Sequence, residues 1–148
     1  LNMIHFKEIT KENLYSISKL SVFEYQEDQV APNIYSIAEG HYDDTAWFRG
    51  IFNDEEAVGF VMLEFDHQNK MYGVWRFMID KNHQGKGYGK DAMDIIKKLF
   101  KEKVPDITEI SLSYVPKEKG GADEFYLKVG FEDTGEISQG EKKMRFKY

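Results

Sequence analysis

The stretch "HQGKGYGK", residues 83–90, places three glycines within five residues, with lysines at Lys86 and Lys90. It follows an apolar run (71–79) typical of a buried strand and precedes a segment (90–103) whose apolar residues recur at helical spacing. A helix start exposes unpaired N–H groups and a positive partial charge, and glycines let a ligand approach the backbone. The stretch therefore predicts a strand, a loop that binds an anion such as phosphate, and a helix.

Two well-known phosphate loops do not match this stretch. A P-loop requires Ser or Thr after Gly-Lys, but Gly89-Lys90 is followed by Asp91. A dinucleotide-binding loop requires G-x-G-x-x-G, and Lys90 stands where its third glycine belongs. The predicted order of strands is also wrong for a Rossmann unit.

Patterning along the whole chain predicts one mixed α+β domain spanning residues 1–148, with a mostly antiparallel sheet flanked by helices. The expected order is βααβββαβαββ, and residues 21–31 form either a second short helix or an irregular link. Predicted strands are 3–9, 45–52, 57–65, 71–79, 107–115, 131–137 and 141–148; predicted helices are 10–20, with Thr10 as N-cap, 32–39, 90–103 and 121–129.

The composition excludes several classes of protein. The chain has 148 residues, including 11 Phe, 9 Tyr and 2 Trp, which is enough for a hydrophobic core. It has no cysteine, which excludes disulfides and thiolate chemistry and fits a cytoplasmic protein. No run approaches the length of a membrane helix, so we expect no membrane partner. The net charge of −6 argues against nucleic acid, and no spacing of His and acidic residues indicates a metal.

Charge is distributed unevenly along the chain. Residues 24–66 contain eleven acidic residues and one basic residue, whereas residues 67–103 contain nine basic and four acidic ones. One part of the fold is therefore expected to favour cations and another anions. The alternative is that these are ordinary solvated surface charges.

The glycine loop resembles the acetyl-CoA signature of the GNAT superfamily of N-acetyltransferases, because Gln84-x-x-Gly87-x-Gly89 matches Q/R-x-x-G-x-G/A. The stretch "EFYLKVGF" (124–131) is similar to the late helix of that superfamily, whose Tyr precedes a Gly-Phe strand entry. Three further stretches resemble bacterial spermine/spermidine (diamine) acetyltransferases: 9–40, 58–65 and 75–93.

The resemblance implies acetyl-CoA as cofactor, with its pyrophosphate on the backbone N–H groups of residues 85–90 and with Lys86 or Lys90 adding charge. A free N–H of Met78 or Ile79, on a strand that bulges in the superfamily, would stabilise the thioester oxygen as charge develops. Lys119 stands where the superfamily usually has an Asn that contacts CoA. The implied cofactor-binding residues are Phe77, Met78, Ile79, Gln84, Gly85, Lys86, Gly87, Tyr88, Gly89, Lys90 and Lys119.

Tyr126 is the candidate general acid. It matches the superfamily Tyr in position, and a phenol has a pKa near 10, which is close to that expected of the leaving thiolate. The alternative is a buried Tyr whose hydroxyl only satisfies a backbone group. The base stays open: polyamine acetyltransferases of the wider superfamily can place a carboxylate on the motif strand, where this chain has Trp75 and Arg76. Candidates acting through water are Glu24, Glu27 and Glu64, and His41 and His83 could titrate in the relevant range.

A cationic acceptor follows from the acidic segment, and a polyamine or diamine is the simplest one. We expect ammonium contacts from Glu24, Glu27 and Asp28, with Glu64 nearby and Trp75 or Trp47 as a cation–π wall. The amine would attack directly in a ternary complex, since the chain has no nucleophilic cysteine. Rival hypotheses are another amine acceptor (a protein N-terminus, lysine, an amino sugar or an amino acid) and a non-catalytic acyl-CoA-binding module. A homodimer is the assembly common in the superfamily.

Overall fold

The computed structural model describes residues 2–117 and 122–148, without the side chains of Asp28 and Gln29. Strands within these ranges are β1 (Ile4–Lys7), β2 (Ala46–Asn53), β3 (Glu56–Asp66), β4 (Met71–Ile79), β5 (Glu109–Tyr114), β6 (Glu132–Ser138) and β7 (Glu141–Lys147). Helices are α1 (Leu14–Ser18), α2 (Asn33–Gly40), α3 (Tyr88–Lys103) and α4 (Asp123–Lys128). Two 3₁₀ helices lie at Glu24–Gln29, called below the 24–29 helix, and at Lys81–His83.

The strands form one sheet in the order β1-β2-β3-β4-β5-β7-β6. All neighbours pair antiparallel except β4 and β5, which are parallel. This confirms the predicted α+β class with a mostly antiparallel sheet. None of the described helices is both long and apolar enough to cross a lipid bilayer.

All four helices begin at residues other than those predicted, and α2 and α4 begin one and two residues later. The first helix begins at Leu14, although Thr10 forms cap-type contacts: the Asn13 N–H donates to Thr10 Oγ1 (3.3 Å) and the Thr10 N–H donates to Asn13 Oδ1 (2.7 Å). The third begins at Tyr88, two residues before the predicted start. Gly87 adopts a left-handed φ of 83° and leads directly into the helix, so the N-terminus of α3 lies inside the glycine loop.

Side chains on the two faces of the sheet enter two separate hydrophobic clusters. On one face, called the α3 face, Ile79 and Val61 pack with Ala92 and Ile96 of α3. On the opposite face, called the α2 face, the cluster is Ile17, Ile37, Phe52, Phe60, Met62 and Met78. Because successive residues of a strand point to opposite faces, β4 contributes to both clusters.

The parallel strands β4 and β5 touch for only two residue pairs, Gly73–Ser111 and Val74–Leu112. Beyond them β4 continues for five residues without pairing to β5. A shift in the β3–β4 register leaves Trp75 as the extra residue of a bulge at this point. The sheet therefore splits between β4 and β5.

Gly73 is required where the two strands touch. A Cβ built there would lie 2.3 Å from the Ser111 carbonyl oxygen, which belongs to the backbone and cannot rotate away. We expect Gly73→Ala to lower the free energy of unfolding by about 2 kcal/mol, as overpacking does. Urea unfolding followed by circular dichroism measures this. Ser113→Ala, an exposed change on β5, is the control. An unchanged midpoint for Gly73→Ala would show that the strands can separate there.

Candidate active site

A cleft of about 1300 Å³ occupies the split between β4 and β5 and is lined from both faces of the sheet. It brings together most of the site residues expected from the sequence. Those that line it are Glu27, Glu64, Trp75, Phe77, Met78, Ile79, Gln84, Gly85, Gly87, Tyr88, Gly89, Lys90 and Tyr126.

The glycine loop forms one end of this cleft. Gly85 and Gly87 have left-handed φ angles of 78° and 83°, which turn the loop into the start of α3. Within the described part of the chain, the backbone N–H groups of residues 84–90 donate no hydrogen bond. Unpaired donors at a helix N-terminus are what an anion requires. The loop therefore has the geometry of an anion site.

The two loop lysines differ in placement. Lys90 lines the cleft, and its Nζ lies 3.1 Å from Asp94 Oδ2 one turn along α3. Lys86 is exposed and does not line the cleft, although its carbonyl accepts a hydrogen bond from Asn2. Lys90 is thus the better placed of the two to add charge to a bound anion.

The backbone of β4 offers two N–H groups to the cleft. Asp80 N–H donates to Val58 of β3 (2.8 Å), and antiparallel pairing alternates along a strand. The backbone N–H of Met78 therefore faces β3, and the N–H groups of Phe77 and Ile79 face the split. This corrects the expectation that the Met78 N–H could contact the thioester oxygen. The Ile79 N–H remains a candidate for that contact, and the Phe77 N–H becomes a second one.

Three tyrosines line the cleft, and they differ in how their hydroxyls are satisfied. Tyr88 accepts a hydrogen bond from Asn53 (3.1 Å), whereas the described residues provide no partner for the hydroxyls of Tyr114 and Tyr126. Burial raises the pKa of Tyr126 to about 12. It also raises the pKa of Tyr114, with further contributions from Asp123 and Asp133. Tyr114 was missed in the sequence, where it reads as one more residue of a strand.

Two carboxylates and an indole also line the cleft. Glu64 and Glu27 are not engaged in an ion pair with any other described residue, and Trp75 lies at the bulge itself. Burial, followed by the charges of Asp66 and Asp43, raises the pKa of Glu64. A carboxyl group with a raised pKa in a cleft is a candidate for binding an ammonium group or moving a proton.

Arg76, beside Trp75, has its charge compensated. Its Nη1 donates to Glu39 of α2 (2.5 Å) and to Ser36 (3.2 Å). The guanidinium also lies 5.6 Å from the ring centroids of Trp75 and Tyr35. The positive residue at the predicted carboxylate position is therefore used to hold α2 against β4.

Several candidate residues are not in the cleft lining. Glu24 is exposed and lies outside it, as does Trp47, which packs against Phe6 and Phe65 beneath Arg49. The expectation that Trp47 walls the acceptor is therefore wrong, because its ring lies on β2 and packs against Phe6 and Phe65 away from the cleft. Lys119 and the side chain of Asp28 lie outside the described residues.

The two histidines considered as bases, His83 and His41, make contacts within the fold. His83 is held between Asp80 (3.0 Å) and Glu56 (2.9 Å), and His41 packs edge-on against Phe48 away from the cleft. Burial alone would raise the pKa of Asp80, but hydrogen bonds from Ser21, His83 and Asn82 outweigh it and lower the pKa. No group of three or more His, Asp or Glu in the described ranges could hold a metal ion.

An anion loop at the start of a helix and a sheet split beside it suit a phosphate-bearing ligand with an extended arm, and Tyr126 lines the same cleft. The model of the Acetyltransferase (GNAT) family matches residues 10–131, so the chain belongs to that family. GNAT acetyltransferases use acetyl-CoA, which confirms the predicted cofactor.

Similar proteins carry related activities. The chain is 29% identical to a spermine/spermidine N(1)-acetyltransferase of Bacillus subtilis strain 168 and to a probable spermine N(1)-acetyltransferase of B. subtilis subsp. natto, each over 95% of this chain and 96% of the relative. Its fold matches spermidine N-acetyltransferase from Vibrio cholerae in complex with CoA and spermine (TM-score 0.75, 15% identity, 97% and 95% of the two chains). It also matches the PaiA N-acetyltransferase from Thermoplasma acidophilum in complex with coenzyme A (TM-score 0.67, 20% identity, 99% of both).

The residues of the cleft fit acetyl-CoA. The backbone N–H groups of residues 85–90 donate to no described residue, which suits a pyrophosphate. Apart from its chain neighbours, no described residue lies within 4 Å of a Cβ built at Gly85, so the backbone there is open to a ligand. The unpaired edge of β4 offers backbone donors to an amide-bearing chain such as pantetheine.

We expect Gly85→Ala to weaken coenzyme A binding by about tenfold, because an L side chain strains the left-handed loop by about 1–2 kcal/mol and projects into the anion space. Isothermal titration calorimetry measures the dissociation constant. Gly135→Ala is the matched control: Gly135 has a similar φ of 81° and equally open surroundings, but it lies on β6 away from the cleft. Equal affinity in both variants would contradict an anion site at the loop.

Proposed function

We propose that residues 1–148 act as one N-acetyltransferase domain that moves an acetyl group from acetyl-CoA to a primary amine of a polyamine or diamine. The observation that carries this proposal is one cleft with an anion site at one end and, elsewhere in its lining, two carboxylates, Glu27 and Glu64, that form no ion pair with another described residue. The spermine and spermine/spermidine N(1)-acetyltransferase activities for which the similar Bacillus proteins are named support the same acceptor class.

The glycine loop and β4 hold the donor in this proposal. Backbone N–H groups of residues 85–90 bind the pyrophosphate, and Lys90 adds charge. Acetyl-CoA supplies an activated thioester carbonyl. The N–H of Ile79, or of Phe77, points into the split and stabilises negative charge on the carbonyl oxygen, a contact worth on the order of 3 kcal/mol in the transition state.

The acetyl group passes directly from the sulfur of coenzyme A to the amine nitrogen, without a covalent enzyme intermediate. The neutral amine nitrogen forms the C–N bond, the C–S bond breaks, and Tyr126 gives its proton to the leaving sulfur. The proton that the nitrogen loses on becoming an amide returns Tyr126 to its protonated form. A phenol with a pKa of about 12 stays protonated across the neutral range, as an acid must. Glu64 is the best placed acceptor of the proton that the ammonium group loses before attack, because its raised pKa brings it toward neutrality.

The acceptor wall consists of Glu27, Glu64 and Trp75 in this proposal. A diamine or polyamine carries a second cation besides the reacting nitrogen, and two separate carboxylates can hold it while the indole face contacts a cationic or methylene segment. Arg76 does not oppose a cation strongly, since Glu39 compensates its charge.

The proposal is tested by release of free thiol from acetyl-CoA with spermidine, spermine, a diamine, lysine and a short peptide, at pH 6 to 10. We expect turnover on spermidine and spermine far above that on lysine or peptide. Turnover on lysine or peptide alone would retain the donor site and overturn the polyamine acceptor. Binding of acetyl-CoA with no turnover on any amine would favour a binding module instead.

Tyr126→Phe should lower kcat by about 100-fold or more, as loss of a general acid does, and leave the KM for acetyl-CoA within about twofold. With its raised pKa of about 12, Tyr126 should cause no decline in kcat up to pH 10. Steady-state kinetics of Tyr126→Phe are compared with those of Tyr114→Phe, the matched control, which removes the hydroxyl of another tyrosine of the cleft. A full loss in Tyr114→Phe and none in Tyr126→Phe would move the acid role to Tyr114.

Glu64→Gln should raise the KM for spermidine by about tenfold, the expected effect of losing one hydrogen bond to a charged group, and should also lower kcat because the proposed proton acceptor is lost. The carboxyl group attracts an ammonium only when ionised, so in the unmodified protein KM rises as the pH falls through the raised pKa of Glu64. This acidic rise should be absent in the variant. Glu55→Gln, on a side chain 94% exposed, is the control. An unchanged pH dependence in Glu64→Gln would remove Glu64 from the acceptor site.

A further inference from the structure

Side-chain amides join the 24–29 helix to the glycine loop. Gln84 Nε2 donates both to the carbonyl of Ile79 at the end of β4 (3.0 Å) and to Gln26 Oε1 (3.0 Å). The same Gln26 oxygen accepts the N–H of Phe23 (3.1 Å). Gln26 and Gln84, called the amide pair below, lie 58 residues apart in sequence and both line the cleft.

Neighbouring hydrogen bonds hold the same segment in place. Ser21 N–H donates to Asp80 Oδ1 (2.9 Å), and Lys81 N–H donates to the Ser21 carbonyl (2.7 Å). From the β5 side of the cleft, Lys117 Nζ donates to the carbonyl of Tyr25. The 24–29 helix is therefore attached beyond the ends of both strands that enclose the split.

The amide pair connects two parts of the cleft with different tasks. Gly85, the residue after Gln84, belongs to the run of unpaired N–H groups, and Glu27, the residue after Gln26, is a carboxylate of the acceptor wall. Gln84 donates to the carbonyl of Ile79, and the N–H of the same residue faces the split. A change in the position of the loop can thus reach the acceptor wall through the paired amides, in which Gln26 Nε2 also donates to Gln84 Oε1 (3.4 Å).

We propose that Gln26 is a positioning residue that couples occupation of the anion loop to the placement of the acceptor wall. An anion on the loop fixes Gln84, which fixes Gln26 and with it the 24–29 helix. A second ligand that binds the ordered helix loses less conformational entropy, so donor and acceptor bind with positive cooperativity. Coupling of this kind typically changes affinity by about fivefold to 150-fold and is reciprocal. The acceptor half of this inference rests on the proposed function, but the ordering of the helix by the loop does not.

Hydrogen exchange with coenzyme A alone tests the ordering. In the unmodified protein, coenzyme A should slow exchange of the amides of Ser21, Phe23 and Gln26 by about fivefold or more. Gln26→Leu should bind coenzyme A but lose this slowing. Gln26→Glu should restore it, since a carboxylate oxygen can accept both N–H groups. Gln68→Leu, the same change on an exposed glutamine of another turn, should behave as the unmodified protein.

Calorimetry with and without coenzyme A tests the coupling. Spermidine should bind the unmodified protein and Gln26→Glu at least about fivefold more tightly when coenzyme A is present. For Gln26→Leu, the spermidine dissociation constant should be nearly the same with and without coenzyme A. Absence of spermidine binding in every case would overturn the proposed acceptor, while the exchange experiment would still decide the role of Gln26. Equal slowing of exchange in Gln26→Leu and the unmodified protein, or no slowing in the unmodified protein, would overturn the inference.

Discussion

The separation of β4 from β5 after two residue pairs governs how this chain can bind a ligand. Gly73 lets the strands meet against the Ser111 carbonyl, and the bulge at Trp75 follows at once, so β4 turns away while still paired to β3. An unpaired backbone edge inside a sheet is unstable unless something satisfies it. The split is therefore both the weakest place in the sheet and the place where a backbone-like ligand gains most.

The glycine loop depends on that split for its direction. β4 ends beside the opening, and left-handed glycines turn the chain directly into α3, so the free N–H groups face the same space as the open strand edge. Tyr126 on α4 and Glu64 on β3 reach this space from different elements. The groups proposed to bind phosphate, polarise the carbonyl and transfer a proton therefore line one cleft, although they lie on different elements of the chain.

Only part of the acidic segment of the sequence lies at the cleft. Of the acidic residues in the 24–66 segment, Glu27 and Glu64 line the cleft, whereas others are used elsewhere: Glu39 pairs with Arg76, Glu55 with Lys7 and Glu56 with His83. A charge count along a chain cannot tell a carboxylate that is free for a ligand from one already paired, because pairing depends on neighbours distant in sequence.

The sequence by itself determined the elements and the anion loop, since apolar periodicity and the glycine spacing at 85–89 are local signals read over a few residues. It also placed Tyr126, through a motif with a defined position. Only the tertiary structure decided that the Met78 N–H faces β3, that Trp47 lies outside the cleft, and that Tyr114 and Gln26 line it. These outcomes depend on strand register and on contacts between residues as many as 58 positions apart, which no local pattern in a single sequence specifies.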